Sequence, residues 1–350
     1  MKKGVNMEKV KVVQIGIGHD HADMFDSARV QTDIFDFIGI ALPECEEKEY
    51  SEKMQRFQDK FGVRKLSVEE ALSYPGLEGV IIESEEKNLV KYAIMAAKRG
   101  LHIHMDKPGG FSLEEFEELV AIVKEKKLVL SLGYMYRFNP EVQKAIKKAR
   151  DGELGEIFSI EAHMSVRYSD KKRAWLNRFP GGMTFFLGCH LIDIIYQILG
   201  EPEEIIPMNC AVEKERLDVE DFGMVLFKYK NGVSFAKSSS VEAGGNLRRQ
   251  IVLTGTKKTL EIRPLENWVD PIYLDYCKEE PRGNLTASTR EVNAEEGLGH
   301  NIFVESGHFN RYDPMMRNFA ELVRGKENPY SYDYELSLFK VVLKASGVIE

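Results

Sequence analysis

A charged turn at residues 106–108 carries the side chain best placed for chemistry in this chain. Leu101 to Met105 alternate in hydropathy as a short buried strand does, and Asp106, Lys107 and Pro108 end that strand ahead of two glycines. A carboxylate and an ammonium group therefore stand together at the carboxyl end of a strand. In open α/β sheets that edge binds ligands, and a cation there can stabilise an oxygen that gains negative charge during a reaction.

The elements that would position this pair alternate between strand and helix. Apolar runs at Val10 to Ile15, Phe35 to Ala41, Gly79 to Ile82 and Leu128 to Leu132 are separated by helical patterns. Such alternation predicts an α/β fold with a Rossmann-type, doubly wound parallel sheet. We therefore predict a nucleotide-binding domain over residues 1–134.

A glycine turn follows the first predicted strand and precedes a predicted helix. Gly16 and Gly18 would permit a tight turn and let the backbone approach a pyrophosphate, with His19 against phosphate or substrate. The pattern lacks the third glycine of the full motif. Glu44 is the nearest acid after the second strand and is a candidate to bind the ribose hydroxyls. The acidic run from Glu44 to Glu49 fits a solvated helix face equally well.

From residue 135 onward the pattern changes to consecutive strands. The runs are Ile157 to Val166, Gly223 to Tyr229, Val233 to Ser239, Ile251 to Thr254 and Thr259 to Ile262. Strands without intervening helices predict an α+β domain over residues 135–350 with a large, mostly antiparallel open sheet. A strongly apolar helix, Gly188 to Leu199, interrupts them, and the polar segment 278–311 predicts a long loop.

The composition excludes several classes of protein. The 350 residues are 43% hydrophobic, which allows sizeable cores, and the net charge is −8 without a basic stretch suited to nucleic acid. The four cysteines form no CxxC pair, so neither a disulfide framework nor a zinc finger is indicated. No apolar run approaches membrane-spanning length. We expect a cytoplasmic protein with a small-molecule ligand and no nucleic-acid or membrane partner.

Three motifs, taken in order, resemble those of the Gfo/Idh/MocA family of oxidoreductases. Asp106-Lys107-Pro108 resembles the Glu-Lys-Pro motif of the family, Arg137-Phe138-Asn139-Pro140 its second conserved segment, and Gly188-Cys189-His190 with Asp193 its glycine-rich helix start. The resemblance covers nearly the whole chain.

The resemblance implies an NAD(P)-dependent enzyme that moves a hydride to or from a hydroxyl or keto carbon of a sugar, polyol or glycoside, with NAD slightly favoured over NADP. Lys107 would place positive charge beside the nicotinamide, and His190 would accept or relay the hydroxyl proton. The cofactor-binding residues would be Gly16, Gly18, His19, Glu44, Ser84, Asp106, Lys107 and Pro108. The substrate-binding residues would be Lys107, Arg167, Tyr168, Trp175, His190 and Asp193. The open sheet implies a homodimer or homotetramer.

Three places depart from the family pattern. Phe186 stands four residues before His190, where the family usually carries an Asp, and Leu42 stands where it usually carries the ribose acid. The loop after the fourth strand, residues 84–89, reads Ser-Glu-Glu-Lys-Asn-Leu where the family commonly shows Thr-Pro-Asn and then a His. An apolar ring cannot orient an imidazole. A catalytically weak sensor or partner subunit that binds dinucleotide or sugar is therefore an alternative to a dehydrogenase. A third interpretation is a net non-redox step, such as glycoside cleavage through a transient ketone.

Four histidines are expected near one edge of the first sheet, namely His19, His21, His102 and His104. Because no acid or cysteine is spaced in sequence to complete a ligand set with them, we predict no metal site.

Two further groups of residues have open roles. Asp193 is equally suited to binding substrate and to capping its helix or holding His190. The segment with Arg167, Tyr168 and Trp175 could contact a sugar, although loop cations are usually solvated.

Overall fold

The computed structural model describes residues 8–268, 285–293, 301–306 and 309–350. The chain divides into two compact units, of which the first comprises residues 1–134 and 312–336 and the second residues 135–311 and 337–350. The sequence-based boundary places residues 312–336 in the second domain, whereas the structure groups them with the first unit.

The first unit is built on a six-stranded parallel sheet of the order β3-β2-β1-β4-β5-β6. Its strands are β1 Val10–Ile15, β2 Phe35–Ala41, β3 Lys65–Leu66, β4 Gly79–Ile82, β5 His102–Met105 and β6 Leu130–Leu132. The strand order reverses between β1 and β4, which is where doubly wound sheets bind ligands. The predicted Rossmann-type sheet is confirmed.

The register of the sheet brings three loop starts to one edge. Ile15 at the end of β1 pairs with Ile82 of β4, and Ile82 pairs with Met105 of β5. The residues that follow these strands, Gly16, Glu83 and Asp106, therefore leave the sheet at the same level.

The second unit contains an eight-stranded sheet of the order β16-β15-β12-β11-β7-β10-β9-β8. Its strands are β7 Ile157–Ser165, β8 Glu204–Cys210, β9 Phe222–Tyr229, β10 Gly232–Ser239, β11 Gln250–Gly255, β12 Lys258–Ile262, β15 Ser288–Asn293 and β16 Asn301–Glu305; β13 Asn267–Trp268 pairs separately with β14 Leu285–Thr286. All neighbours in the large sheet are antiparallel except β7 and β10, so the predicted fold class is confirmed.

The prediction of a loop over residues 278–311 is wrong where the structure describes strands β14, β15 and β16. Strand β15 reads Ser-Thr-Arg-Glu-Val-Asn and pairs with β12 and β16 on its two sides. Its polar sequence hides a strand because strand formation depends on pairing and packing context more than on intrinsic preference. Residues 278–284, 294–300 and 307–308 of this segment lie outside the described residues.

Ten helices lie within the described part of the chain. They are α1 Phe25–Val30, α2 Glu44–Phe61, α3 Val68–Leu72, α4 Leu89–Lys98, α5 Leu113–Lys126, α6 Pro140–Arg150, α7 Asp170–Trp175, α8 Cys189–Leu199, α9 Asp313–Val323 and α10 Tyr332–Ala345. Among these residues, none of the helices has the length and apolar character needed to cross a membrane.

Helix α9 packs within the first unit, although it follows the second unit in sequence. Asp313 accepts a hydrogen bond from Ser27 Oγ at 2.6 Å, and the Phe319 ring lies 5.7 Å from the His104 ring and against Gly79. Arg324, just after the helix, forms an ion pair with Glu78 at 2.7 Å. These contacts explain why residues 312–336 group with the first unit.

Candidate functional site

The glycine turn after β1 packs tightly against the loop that follows β4. Gly16 has φ +82°, and a Cβ there would lie 2.5 Å from Ser84 Cα. A Cβ on Gly18 would lie 2.7 Å from Glu85 Cγ. Both glycines are therefore required by the approach of the chain's own backbone, whereas the sequence predicted the approach of a pyrophosphate.

Glu46 of α2 closes this turn from the other side. One of its carboxylate oxygens accepts from the backbone N–H of Ile17 at 2.9 Å. The other accepts from Ser84 Oγ at 2.5 Å and from the N–H of Glu85 at 3.0 Å. Burial raises the pKa of Glu46, and these hydrogen bonds oppose the shift. The buried Glu46 carboxylate thus accepts hydrogen bonds both from the turn and from the loop that packs against it.

Lys53 of α2 also binds this turn. Its Nζ donates to the Ile17 carbonyl at 2.8 Å, and burial lowers the pKa of this lysine. Glu46 and Lys53 therefore bind the N–H and the carbonyl group of one residue, Ile17.

The predicted ribose acid, Glu44, lies on the surface, and its role stays a prediction. Glu44 is exposed in the first turn of α2, and Leu42 is buried in an apolar cluster with Ile17, Phe25 and Met54. Sequence analysis missed Glu46 because it treated the acidic run from Glu44 as a solvated face. The available signal was the helical period, which turns Glu46 away from Glu44.

Two backbone N–H groups of the glycine turn have partners within the chain in this structure. The N–H of Ile17 is bound to Glu46, and the N–H of His19 donates to the Glu83 carbonyl at 3.0 Å. Both N–H groups are therefore engaged before any ligand approaches this edge. The turn leads into a three-residue 3₁₀ turn, Ala22–Met24, which continues directly into helix α1.

Beyond the turn, five side chains form what we call the histidine–carboxylate cluster: His19, His21, Glu83, Glu86 and Asp106. His21 Nδ1 lies 2.9 Å from Asp106 Oδ2, and His19 Nδ1 lies 3.3 Å from the same oxygen. His19 Nδ1 is also 3.6 Å from Glu83, and His19 Nε2 is 3.3 Å from Glu86. His21 is part-exposed and the other four side chains are buried.

Burial sets the protonation of this cluster. It raises the pKa of Glu86 to about 8, and together with Asp106 it raises the pKa of Glu83 well above the usual range. Burial also lowers the pKa of His19. For Asp106, burial opposes ionisation, but the charges of His19 and His21 outweigh it and hold the pKa of Asp106 well below its usual range.

Lys107 follows directly after Asp106 and is buried. Its backbone N–H donates to Asp106 Oδ1 at 2.7 Å, and its peptide bond to Pro108 is cis. The structure thus brings together four predicted cofactor-site residues, His19, Asp106, Lys107 and Pro108, on adjacent loops. Ser84 lies on the Glu46 side of the same edge.

Within the second unit, His190 and Asp193 lie on α8, and both are buried. Arg137 donates to both oxygens of Asp193 at 2.8 and 3.1 Å, and Gln197 donates to Asp193 at 2.9 Å. Asp193 is therefore the partner of a buried arginine, a contact that the sequence analysis did not foresee.

Tyr136 contacts His190 and is itself held by Glu266. The Tyr136 ring contacts the His190 ring with centroids 5.1 Å apart. The Tyr136 hydroxyl donates to Glu266 at 2.7 Å, and Glu266 is also bound by Arg249 and Arg311. Sequence analysis missed this network because Tyr136 and Glu266, which it joins, lie 130 residues apart in the sequence.

Phe186 belongs to an aromatic cluster in the second unit. It lies in a π-helical turn, Thr184–Gly188, and its ring centroid is 5.1 Å from those of Phe179 and Trp175. Lys172 Nζ lies 3.5 Å from the centroid of the Trp175 ring. Of the predicted substrate residues on this segment, Trp175 thus joins the cluster, Tyr168 is half-buried and Arg167 is exposed.

Two family models match the chain. One describes an oxidoreductase family with an NAD-binding Rossmann fold and matches residues 11–134, and the other describes the GFO/IDH/MocA C-terminal domain and matches residues 142–261. Together they cover more than half of the chain. The chain therefore belongs to the Gfo/Idh/MocA family of oxidoreductases, and its first unit contains an NAD-binding Rossmann domain, as predicted.

Among curated relatives, the chain is similar to trans-1,2-dihydrobenzene-1,2-diol dehydrogenase of Xenopus tropicalis, with 22% identity over 71% of this chain and 74% of the relative. It is 29% identical to scyllo-inositol 2-dehydrogenase (NAD(+)) of Bacillus subtilis over 40% of this chain and 41% of the relative. It is 28% identical to an uncharacterized oxidoreductase of Schizosaccharomyces pombe over 47% of this chain, and spans only 45% of that relative's length.

Solved structures share the fold over nearly the full length. A 3-ketoreductase from Actinomadura kijaniata, crystallised with TDP-benzene and NADP, has a TM-score of 0.74 at 16% identity, covering 97% of this chain and 96% of that chain. An oxidoreductase from Thermotoga maritima has a TM-score of 0.75 at 17% identity, with the same coverage of 97% and 96%.

Proposed function

We propose that this chain is an NAD(P)-dependent oxidoreductase that acts on a hydroxyl or keto carbon of a sugar, polyol or glycoside. The observation that carries the proposal is Lys107, a buried lysine next to Asp106 at the carboxyl end of β5, in a chain whose family consists of oxidoreductases. Burying a lysine is costly, and such residues are concentrated at functional sites.

In this proposal the chain's own residues hold the reacting oxygen and move its proton. The Lys107 ammonium stabilises negative charge on the substrate oxygen. His190 accepts or donates the hydroxyl proton, and the Tyr136–Glu266 network fixes the position of its ring. Arg137 and Asp193 neutralise each other, so we assign them to positioning α8.

The names of two relatives support the substrate class. One is named as a dehydrogenase of a ring diol and the other as a dehydrogenase of an inositol. Both names describe small molecules that carry hydroxyl groups on a ring. The half-buried Trp175 and Tyr168 and the exposed Arg167 stay candidate substrate contacts of this chain.

Two observations favour the second candidate function, a catalytically weak protein that binds sugar or dinucleotide. Glu46 occupies the N–H of Ile17 in the glycine turn. Phe186 is part of an apolar aromatic cluster, where a carboxylate would be needed to polarise the histidine of the family set.

We also propose a cytoplasmic homodimer or homotetramer. Apolar side chains are exposed on strands of the large sheet, namely Phe158, Ile206, Met208 and Val233, at 40–49% of their full accessibility. Cys45 and Cys210 are free thiols, which supports a reducing compartment.

A single-turnover assay separates the two candidate functions. Protein in excess over NAD or NADP is mixed with a panel of sugars, polyols and glycosides, and the absorbance of reduced nicotinamide is followed. We expect reduction by one substrate class, lost in Lys107→Met and in His190→Ala and retained in the control Lys98→Met, which changes an exposed lysine.

The contrary result is equally specific. Firm dinucleotide binding with a flat trace across the panel supports the second candidate, and turnover that survives in Lys107→Met refutes the role of the lysine. Circular dichroism of each variant shows whether it is folded.

A further inference from the structure

In the second unit, one buried carboxylate has two arginines as partners. Glu266 is buried and pairs with Arg249 at 3.2 Å and with Arg311 at 2.6 Å. We propose that the two arginines form a subsite for an anionic group of the substrate, a carboxylate or a phosphate. The proposal rests on the proposed function and narrows its substrate class to sugars or polyols that carry such a group.

The charges of this group do not cancel. Burial opposes ionisation of Glu266, but Arg311 and Arg249 hold its pKa below the usual range, so the carboxylate is ionised at neutral pH. Burial raises the pKa of Tyr136, whose hydroxyl therefore stays neutral. Both guanidinium groups stay protonated at every pH at which proteins are folded. Counted over these described side chains, one positive charge is in excess.

Arg249 makes both of its side-chain contacts through one nitrogen. Its Nη1 donates to Tyr136 Oη at 3.0 Å and to Glu266 at 3.2 Å. Its Nε is buried and has no hydrogen-bond partner within the part of the chain that the structure describes. A guanidinium group carries several N–H donors in a planar fork, and buried donors are nearly always paired. Arg249 therefore has hydrogen-bonding capacity beyond its contacts with Tyr136 and Glu266.

Solvent reaches the two cations more readily than the carboxylate between them. The side chains of Arg249 and Arg311 are 11% and 19% exposed, whereas that of Glu266 is 2% exposed. A ligand that approaches this group therefore meets positive charge. The carbonyl of Arg249 accepts from the N–H of Leu265 at 2.9 Å, which fixes the backbone of the arginine beside Glu266.

Tyr136 connects the arginines with the proposed proton carrier, His190. The Tyr136 ring contacts the His190 ring with centroids 5.1 Å apart, and the hydroxyl of the same side chain contacts Glu266 and Arg249. His190 and Arg249 are thus separated by one tyrosine side chain. A sugar ring with an acid substituent is long enough to span that separation, so a substrate whose carbinol carbon lies at His190 can present its acid group to Arg249.

The chemistry of arginine selects the class of ligand. Its planar fork matches the oxygens of a carboxylate or a phosphate and binds them with paired, charge-assisted hydrogen bonds. A neutral hydroxyl group gains less from the same donors. The net charge of the whole chain is −8, so the excess of positive charge at Arg249 and Arg311 runs against the overall composition.

The test measures anion binding without turnover. The full chain is titrated with inorganic phosphate and with acetate in a calorimeter, in a buffer that contains neither anion. We expect saturable binding of at least one of them. Because Arg249→Gln removes a charged hydrogen-bond donor, it should raise the dissociation constant at least about tenfold. Arg249→Lys keeps the charge but loses the planar fork, so its affinity should lie between the two.

Sugar probes distinguish the two sources of the anion. D-glucuronate carries a carboxylate and D-glucose 6-phosphate carries a phosphate, and D-glucose is the neutral reference. We expect one of the two acids to bind at least about tenfold more tightly than D-glucose, and the preferred acid identifies the group. This preference should disappear in Arg249→Gln. Equal binding of both acids and D-glucose would contradict the assignment of an acidic substrate.

The control variant is Arg216→Gln, which changes an exposed arginine of the same unit that also pairs with acids. It should bind every probe like the unaltered chain. Arg249→Gln should fold, because Glu266 keeps Arg311 and Tyr136 as partners, and circular dichroism checks this. Absence of saturable phosphate and acetate binding, or equal affinity in Arg249→Gln and the unaltered chain, would overturn the proposal. A flat trace in the single-turnover assay would count against the proposed function alone, because the calorimetric titrations do not depend on hydride transfer.

Discussion

Replacing Glu46 by alanine should increase the affinity of this chain for NAD(H) or NADP(H). The carboxylate accepts three hydrogen bonds, from the Ile17 N–H, the Ser84 hydroxyl and the Glu85 N–H. These donors must be released before a dinucleotide can approach the turn. In the Glu46→Ala variant they are released at the outset, and a bound pyrophosphate or ribose can engage them.

The size of the effect follows from the cost of opening. A hydrogen bond within a folded protein contributes about 1 kcal/mol net, so three of them contribute about 3 kcal/mol. Rehydration of a carboxylate whose pKa burial has raised recovers part of that cost. A net opening cost of about 1.4–2.8 kcal/mol reduces the apparent affinity by about 10–100-fold, and this is the gain expected in Glu46→Ala.

The assay is fluorescence titration of NADH and NADPH against the unaltered chain, Glu46→Ala and the control Glu44→Ala. Glu44 is exposed and two residues away on the same helix, so its removal should leave the affinity unchanged. Unchanged affinity in Glu46→Ala would refute the reasoning that the carboxylate obstructs the turn. Weaker binding would show instead that Glu46 is the ribose acid, displaced along the chain from its usual place at Leu42.

Two further predictions concern the second unit. Arg137→Met should lower the free energy of unfolding by about 3–5 kcal/mol, because it leaves Asp193 buried without its ion-pair partner. Urea unfolding measures this loss. As a control, removing the exposed Lys98–Glu118 ion pair should lower the free energy of unfolding by at most about 1 kcal/mol. Burial opposes ionisation of Glu266, but Arg311 and Arg249 hold its pKa below the usual range, so its ionised form stabilises the fold above the unfolded-state pKa of about 4.3. Glu266→Gln should therefore be less stable than the unaltered chain at neutral pH, and the difference should shrink as the pH falls through the folded pKa; a difference that does not change with pH would contradict this assignment.

Sequence patterns predicted the architecture of the first sheet because most of its strands, such as β1 Val10–Ile15 and β4 Gly79–Ile82, are short and mainly apolar. The glycine turn and the strand before Asp106 also fall where they were predicted. The polar strand β15 could not be predicted in this way, because its place in the sheet depends on pairing with β12 and β16 rather than on hydropathy.

The candidate site was predicted only where its residues are close in sequence. Lys107 and Asp106 are neighbours, and the hydropathy pattern before them predicted their position at the end of a strand. The meeting of Asp106 with His19 and His21 depends on the order of three strands, and spacing along the chain cannot show that order. Glu46 was missed for a different reason. A run of acidic residues suggests a solvated surface, and only the position of each residue around the helix shows which of them is buried.

The return of residues 312–336 to the first unit has a consequence for biosynthesis. The nucleotide-binding unit is discontinuous, and Phe319 of α9 supplies the side chain that covers Gly79 and His104. As the chain emerges from the ribosome, the strands of this unit appear about 180 residues before the helix that covers one part of them. Until residues 312–336 have been made, the sheet exposes apolar surface at that point, and the unit cannot reach its final packing before then.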